Sequence, residues 1–143
     1  NRMNKAKAVC VIRNDLRNSN GNKVPKGKLI AQGGHAFVGL LTNLLVTVNY
    51  VGGAGELVQI NIKDGSALDK WINGKFTKVV LGVDSEIELL ELYEKAKQAN
   101  LNIVIIKDCG DTEFAKPTIT CIGIGPAWSD EIDAITGHLK GFS

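Results

Sequence analysis

Short continuous runs of apolar residues alternate along this chain with segments of helical spacing. Four such runs are typical of strands buried on both faces of a sheet, and they predict strands at residues 8–12, 77–83, 102–107 and 119–124. Gly123, Gly125 and Pro126 are expected to end the last of these strands, because glycine and proline are the strongest local breakers of regular structure.

The longest segment with helical spacing begins at Gly27 and extends to about residue 45. Its predicted buried face is a broad apolar set, namely Leu29, Ile30, Ala36, Phe37, Leu40, Leu41 and Leu44. Lys28, Gln32 and His35 fall together on another face, at positions i, i+4 and i+7. The lysine-rich start and the internal Gly33-Gly34 pair are locally unfavourable, and such irregularities concentrate at functional sites. The positive helix start predicts an anion site, most simply for phosphate.

Capping residues predict two further helices. Ser85 and Glu88 form a capping box that opens a helix ending near residue 99, whose inner face would carry Ile87, Leu90 and Ala96. Ser129 is expected to cap a last helix that ends near residue 139.

An insert at residues 46–76 separates the long helix from the second strand. Strand-like runs at 46–51 and 57–62 flank a glycine-rich stretch at 52–55, which predicts a β-hairpin. A short helix around residues 67–72 follows, with Trp71 as its apolar anchor.

The resulting order of elements predicts an α/β fold. We expect a single domain over residues 1–143, with a mixed four-stranded sheet, helices on both faces and the hairpin insert at 46–76. A chain of 143 residues is long enough for one domain with a real core and too short for two.

Charge is distributed unevenly although its net value is only +2. Residues 1–28 carry eight Lys and Arg against Asp15 alone, a net charge of +7, whereas residues 29–143 carry a net charge of −5. Such polarity favours a polyanionic partner that approaches from one side. The alternative is a basic segment that is merely solvated.

Compartment is inferred from what the sequence lacks. No apolar run reaches the roughly 18 residues of a membrane span, and the first residues lack the apolar region of a signal peptide, so we expect a cytoplasmic protein without membrane contact. Cys10, Cys109 and Cys121 have no metal-ligand spacing. We expect Cys10 and Cys121 to be free, buried thiols.

The carboxyl ends of the strands are the expected binding edge, because ligands of open α/β sheets bind there. Polar side chains follow the first and third strands at this edge, namely Arg13, Asn14 and Asp15, and then Asp108, Asp111 and Thr112. The basic start of the long helix leads in from the first of these loops. We therefore predict that Arg13, Lys26 and Gln32 contact the substrate.

His35 and Asp108 are the candidates for a general base and its orienting carboxylate. A neutral imidazole takes a proton from water near pH 7, and a carboxylate on its other nitrogen fixes the tautomer. Lys28 would hold a phosphate or stabilise an oxyanion, and Thr112 and Thr120 would donate hydrogen bonds to the substrate. The alternative is structural, because a histidine on a helix and threonines in strands and turns often serve packing alone.

Patterns for other chemistries are absent. The sequence contains neither a Gly-x-Ser-x-Gly elbow nor a phosphate-cradling glycine loop, so activated water is the expected nucleophile. His35 and His138 supply no metal-ligand set. We expect neither a metal nor another cofactor.

Five segments, in order along nearly the whole chain, resemble the archaeal and eukaryotic (type II) peptidyl-tRNA hydrolases. VIRNDL (residues 11–16) resembles the first strand and loop of that family, and GKLIAQGGHAFVG (27–39) resembles its Gly-Lys-x-x-Ala-Gln-x-x-His helix. KDCGDTEF (107–114) is similar to its Asp-x-Gly-x-Thr loop. PTITCIGIGP (117–126) and TGHLKGF (136–142) are similar to its last strand and its terminal segment.

The resemblance implies hydrolysis of the ester that joins a peptide to the 3′ ribose of tRNA, without a metal. Carried onto matching positions, it implies a site made of Lys28, Gln32, His35, Asp108, Thr112 and Thr120. The alternatives left open are an RNA- or protein-binding module of the same fold without turnover, and an enzyme acting on small esters. A homodimer is compatible with exposed helices, although no residue establishes one.

Overall fold

The computed structural model describes residues 5–48, 53–110 and 112–143. In chain order the elements are β1 (Ala6–Arg13), α1 (Lys26–Thr42), β2 (Leu45–Val48), β3 (Leu57–Ile60), α2 (Ala67–Ile72), β4 (Lys78–Val83), α3 (Glu86–Gln98), β5 (Ile103–Asp108), β6 (Thr118–Trp128) and α4 (Ser129–Thr136). None of the described helices combines the length and the apolarity that a membrane crossing requires.

Four strands form a mixed sheet in the order β4-β1-β6-β5. β1 is parallel to β4 and antiparallel to β6, and β5 is also antiparallel to β6. Strands β1, β4 and β5 therefore end at one edge of the sheet, where β6 begins. This confirms the predicted mixed four-stranded sheet and brings the loops after β1 and β5 to the same edge.

Alternating side chains of the central strands supply two cores, one on each face of the sheet. Val9 and Val11 of β1 pack with α3 and α4 on one face. Cys10 and Ile12 pack with α1 on the other, and Ala8 lies near α1 and α2. The predicted helices on both faces are confirmed.

Two apolar residues that we assigned to inner helix faces lie in solvent instead. Ile30 is 74% exposed on α1, and Ile87 is 71% exposed on α3. Successive residues of an α-helix are turned by about 100°, so Ile30 points away from the sheet while Leu29 and Ala36 pack against the core. The buried positions of α3 are Leu89, Leu92 and Ala96, a spacing that leaves Ile87 on the opposite side.

The last strand does not end at the glycines, as predicted, but continues to Trp128. Gly123 lies where an added Cβ would come within 2.9 Å of Val104, and at Gly125 it would come within 2.9 Å of the Lys7 carbonyl oxygen. The two glycines thus permit close packing within the strand. Ser129 is the first residue of α4 and not its side-chain cap, and the helix already ends at Thr136.

The insert contains the predicted hairpin and short helix. Leu45 and Val48 pair with Ile60 and Leu57 in a two-stranded antiparallel sheet of their own. In α2, Trp71 is buried, and its indole Nε1 donates a hydrogen bond to the Thr77 carbonyl oxygen at 2.7 Å. The predicted turn and first strand fall partly on residues 49–52, which lie outside the described residues.

Candidate functional site

The Asp108 carboxylate, at the end of β5, is the centre of the site. Lys28 Nζ donates to its Oδ2 at 2.7 Å, while the Gly110 backbone N–H and Thr112 Oγ1 donate to Oδ1 at 3.0 and 2.9 Å. The side chains of Asp108 and Lys28 are only 6% and 20% exposed. The site thus joins the first turn of α1 to a strand end that lies 80 residues further along the chain.

The surroundings of Asp108 favour its charged form. Burial by itself would raise the pKa of this carboxyl, but the hydrogen bonds from Lys28, Gly110 and Thr112 outweigh it, and the pKa lies below its ordinary value of 3.8. Asp108 is therefore an anion at neutral pH and holds the Lys28 ammonium in place.

The loop after β5 turns back on itself to supply two of these donors. Asp108 accepts from the N–H two residues ahead, which is the pattern of an Asx turn. Gly110 has φ +91°, and an added Cβ would lie 3.1 Å from the Lys116 carbonyl carbon. The Gly110 N–H was not predicted as a donor of the site, although the Asp-x-Gly spacing was the signal for it.

Gln32, one turn beyond Lys28 on α1, forms the second half of the site with Thr120. Both are buried, and Thr120 Oγ1 donates to Gln32 Oε1 at 2.5 Å. Ile106 of β5 lies opposite Cys121 while Lys107 lies opposite Ile119, so Thr120 is the extra residue of a β-bulge, a device that re-aims side chains next to sites. The Gln32 amide nitrogen makes no hydrogen bond within the described part of the chain.

His35 does not contact Asp108. Its side chain is exposed and makes no hydrogen bond or ion pair with any described residue. Seven residues along a helix correspond to about 10 Å of rise, which carries His35 past the carboxylate that Lys28 reaches. The structure therefore pairs Asp108 with Lys28 instead of the histidine that we expected.

Arg13 belongs to a separate cluster at the same edge of the sheet. Its Nε and Nη2 each donate to the Asp15 carboxylate at 2.9 Å, and its Nη1 donates to the Ile119 carbonyl oxygen at 3.0 Å. The guanidinium holds the pKa of the Asp15 carboxyl below its usual value. Arg13 thus ties the end of β1 to the start of β6.

The remaining predicted polar residues of this edge are more dispersed. The Asn14 amide donates to Asp84 at 3.0 Å. Lys26 is exposed at the start of α1 and forms no ion pair with a described residue. Asp111 lies outside the described residues.

Among the described hydrogen bonds of Asp108, none involves a cysteine side chain. Cys10 and Cys121 are buried free thiols, as predicted, and Cys109 is exposed. Contact with Cys121 and burial together raise the pKa of the Cys10 thiol, so it stays protonated at neutral pH. Within the described ranges, no group of three or more His, Cys, Asp or Glu side chains could hold a metal ion.

Fold and site together define a mixed-sheet α/β protein in which a long helix presents a lysine and a glutamine to a carboxylate and threonines at the strand ends. Residues 6–142 match the family described as Peptidyl-tRNA hydrolase PTH2. The chain belongs to this family, which confirms the resemblance seen in the sequence.

Individual relatives agree with the family assignment. The chain is 38% identical over 134 residues to "Peptidyl-tRNA hydrolase" of Methanocaldococcus jannaschii, covering 94% of this chain and 97% of that one. It is 40% identical to the protein of the same name from Sulfurisphaera tokodaii, covering 94% and 96%. A solved structure of a protein of unknown function, Atu0240 from Agrobacterium tumefaciens strain C58, has a similar fold, with a TM-score of 0.50, 14% identity and coverage of 96% and 98%.

Replacing the Asp108 carboxylate should make the free energy of unfolding less dependent on pH in the acidic range. Because the folded pKa of Asp108 is lowered, its contribution is complete above the ordinary value of 3.8 and disappears as pH falls through the folded value. We expect Asp108→Asn to lower the free energy of unfolding by about 1.5–3 kcal/mol at pH 7, and the deficit to shrink below pH 3.8. Denaturant unfolding of the variant and the parent at several pH values measures this difference in free energy.

Asp64→Asn is the matched control for this experiment, because Asp64 is exposed. It should unfold like the parent throughout. A deficit for Asp108→Asn that stays constant down to the lowest pH would contradict the assigned role of the carboxylate.

Proposed function

We propose that this chain hydrolyses the ester between a peptide and the 3′ ribose of tRNA, and so releases both. The observation that carries the proposal is the convergence, in a member of this family, of Lys28, Gln32, Asp108, Thr112 and Thr120 at one edge of the sheet. The relatives are named for the same reaction.

The reaction needs an oriented water and a cation at the developing oxyanion. Asp108 Oδ2 accepts one hydrogen bond from Lys28, and a carboxylate oxygen has room for a second, which would hold the attacking water. The lowered pKa suits an acceptor that orients water without retaining its proton. Attack on the ester carbon breaks the bond to the ribose oxygen, which takes up the proton.

Lys28 is the group that would stabilise the oxyanion, because its ammonium is fixed by Asp108 in a poorly hydrated position. The free Gln32 amide would donate to the substrate, with its orientation set by Thr120. His35 lies two turns beyond Lys28, and we assign it to contact with the bound substrate at the exposed side of α1.

The charge of Lys28 should matter for the chemical step. In a parent protein that releases peptide from peptidyl-tRNA, Lys28→Gln should lower kcat by about 10²–10³, the usual cost of removing one oxyanion donor. Lys97→Gln, at the exposed end of α3, is the control and should leave kcat unchanged. Turnover by Lys28→Gln at the rate of the parent would refute this role of Lys28. A parent protein that binds tRNA without any turnover would instead indicate that the chain is a binding module of this fold.

The role of His35 can be separated from that of a general base. If it were the base, His35→Ala would lower kcat by at least about 10². Because the imidazole does not reach Asp108, we expect kcat within about tenfold of the parent, with the loss appearing mainly in KM. Single-turnover rates at saturating substrate distinguish these two roles of His35. A chemical step that is a hundredfold slower in His35→Ala would show that His35 is the general base after all.

We also propose that the chain acts as a homodimer in the cytoplasm, where translation supplies the substrate. An apolar groove of about 410 Å³ lies between α1 and β4 and is lined in part by Ile30, Gly33, Phe37, Val80 and Phe142. Ile30 is 74% exposed there, and an exposed apolar groove of this kind supports an interface between copies.

A charge in this groove should separate the two copies. Light scattering of the parent should give the mass of two chains, and Ile30→Asp should give the mass of one. Ile87→Asp, at an equally exposed isoleucine of α3, should remain dimeric. A parent with the mass of a single chain would contradict the dimer.

A further inference from the structure

The basic side chains of this protein fall into two groups, those held by a carboxylate and those that are not. Lys7, Arg13 and Lys28 pair with Asp133, Asp15 and Asp108. Six others line two adjoining clefts at the edge where β1 and β5 end and form no ion pair with any described residue: Arg17, Lys23, Lys26, Lys107, Lys116 and Lys140. We call these six residues the basic band.

The first cleft, of about 460 Å³, lies beside the start of β6. Arg17, Lys107 and Lys116 contribute to its walls, together with the acidic residues Asp15 and Glu86. The charge of Asp15 is offset by the two hydrogen bonds from the Arg13 guanidinium. The cleft is therefore positive overall.

The second cleft, of about 810 Å³, lies between the start of α1 and the end of the chain. Lys23, Lys26 and Lys140 line it, and Asp84 is its acidic side chain. Arg17 lines both clefts. Its Nη1 donates to the carbonyl oxygens of Leu16 and Asn14 at 2.8 and 3.3 Å, which fixes the guanidinium on the ridge between them.

The basic band borders both elements that build the site. Lys107 directly precedes Asp108 on β5 with its side chain on the other face of the sheet, and Lys26 is two residues before Lys28, about 200° round α1, so the basic band surrounds the site without entering it. Lys107, Lys116 and Lys140 come from outside the basic N-terminal segment, so the folded chain extends the positive surface beyond what the sequence alone placed there. A row of cations that form no ion pair within the described ranges, and that is longer than a single phosphate site, matches a polyanion with regularly spaced charges.

We propose that the sugar-phosphate backbone of the tRNA substrate crosses the basic band, from Lys116 and Lys107 over Arg17 to Lys26 and Lys140. This inference rests on the proposed function for the identity of the RNA. The chain outside these six cations carries a net charge of −4, which disfavours approach of the RNA to the remaining surface and helps to orient it. Each lysine that contacts a phosphate displaces a condensed counterion on binding.

Binding of deacylated tRNA, measured by fluorescence anisotropy over a series of KCl concentrations, tests the inference without requiring turnover. The affinity of the parent should fall steeply with salt. Replacing both Lys107 and Lys116 by Ala should reduce the slope of log K against log[KCl] by about 0.7–0.9 per lysine and weaken binding at low salt. Lys140→Ala should reduce it by one such step.

The control replaces Lys95 and Lys97 by Ala. Both are exposed in the last turn of α3, which leads away from this edge of the sheet, and the charge change equals that of the Lys107 and Lys116 pair. The control should bind tRNA with the affinity and slope of the parent. Thermal unfolding of every variant checks that the folded state is retained.

Equal affinities and slopes for all of the variants would overturn the inference, as would equal losses in the control and the band variants. Peptidyl-tRNA turnover by the parent is measured separately. If the parent hydrolyses peptidyl-tRNA but the variants of the basic band bind tRNA normally, the proposed function is retained and the proposed RNA-binding surface is rejected. If the parent is inactive but these variants bind tRNA weakly, the surface is retained and the proposed reaction is rejected.

Discussion

The hydrogen-bonded ion pair between Lys28 and Asp108 is the constraint on which this site depends. Removing a carboxylate from water is unfavourable unless donors replace the lost hydration. Here Lys28, the Gly110 N–H and Thr112 supply three of them, from α1 and from the loop after β5. The pair therefore fixes the start of the helix against the strand end, and it sets where Gln32, one turn further on, meets Thr120. A shift of α1 by one turn would break both the Lys28–Asp108 and the Gln32–Thr120 hydrogen bonds.

Much of the fold was predictable because its signals are local. Ser85 accepts the hydrogen bond from the Glu88 N–H that its capping pattern implies, and Trp71 is buried as the anchor of a short helix. Ile30 and Ile87 were misassigned because an apolar side chain is buried only where another element covers it, which spacing along one helix does not reveal. Gly123 was misread for a related reason. Its missing side chain makes room for Leu40 and Val104, which are neighbours from other elements.

The members of the candidate site could be named from the sequence, but the contacts between them could not. Lys28, Asp108 and Thr112 could be identified because they occupy positions in motifs that resemble those of the family. Which donor reaches the carboxylate depends instead on the rise of a helix and on the register of two strands. About 10 Å of rise separates His35 from Lys28, and a one-residue shift between β5 and β6 turns Thr120 toward Gln32. The helical rise follows from the predicted helix, but the position of Asp108 along α1 and the register of β5 against β6 are set by packing between elements distant in the sequence.

The same ion pair also limits what Lys28 can do for binding. With Asp108 at 2.7 Å, the two charges nearly cancel at a distance, so the pair acts on an oxyanion in direct contact but attracts a remote polyanion only weakly. Long-range attraction must come from cations whose charge is not cancelled nearby. Among the described residues, the basic band has cations without an ion-pair partner at the same edge, and the proposed roles therefore leave Lys28 for the chemical step and the basic band for capture of the RNA. Because these six cations lie at one edge, a chain of net charge +2 presents a positive surface there, as the proposed capture of RNA requires.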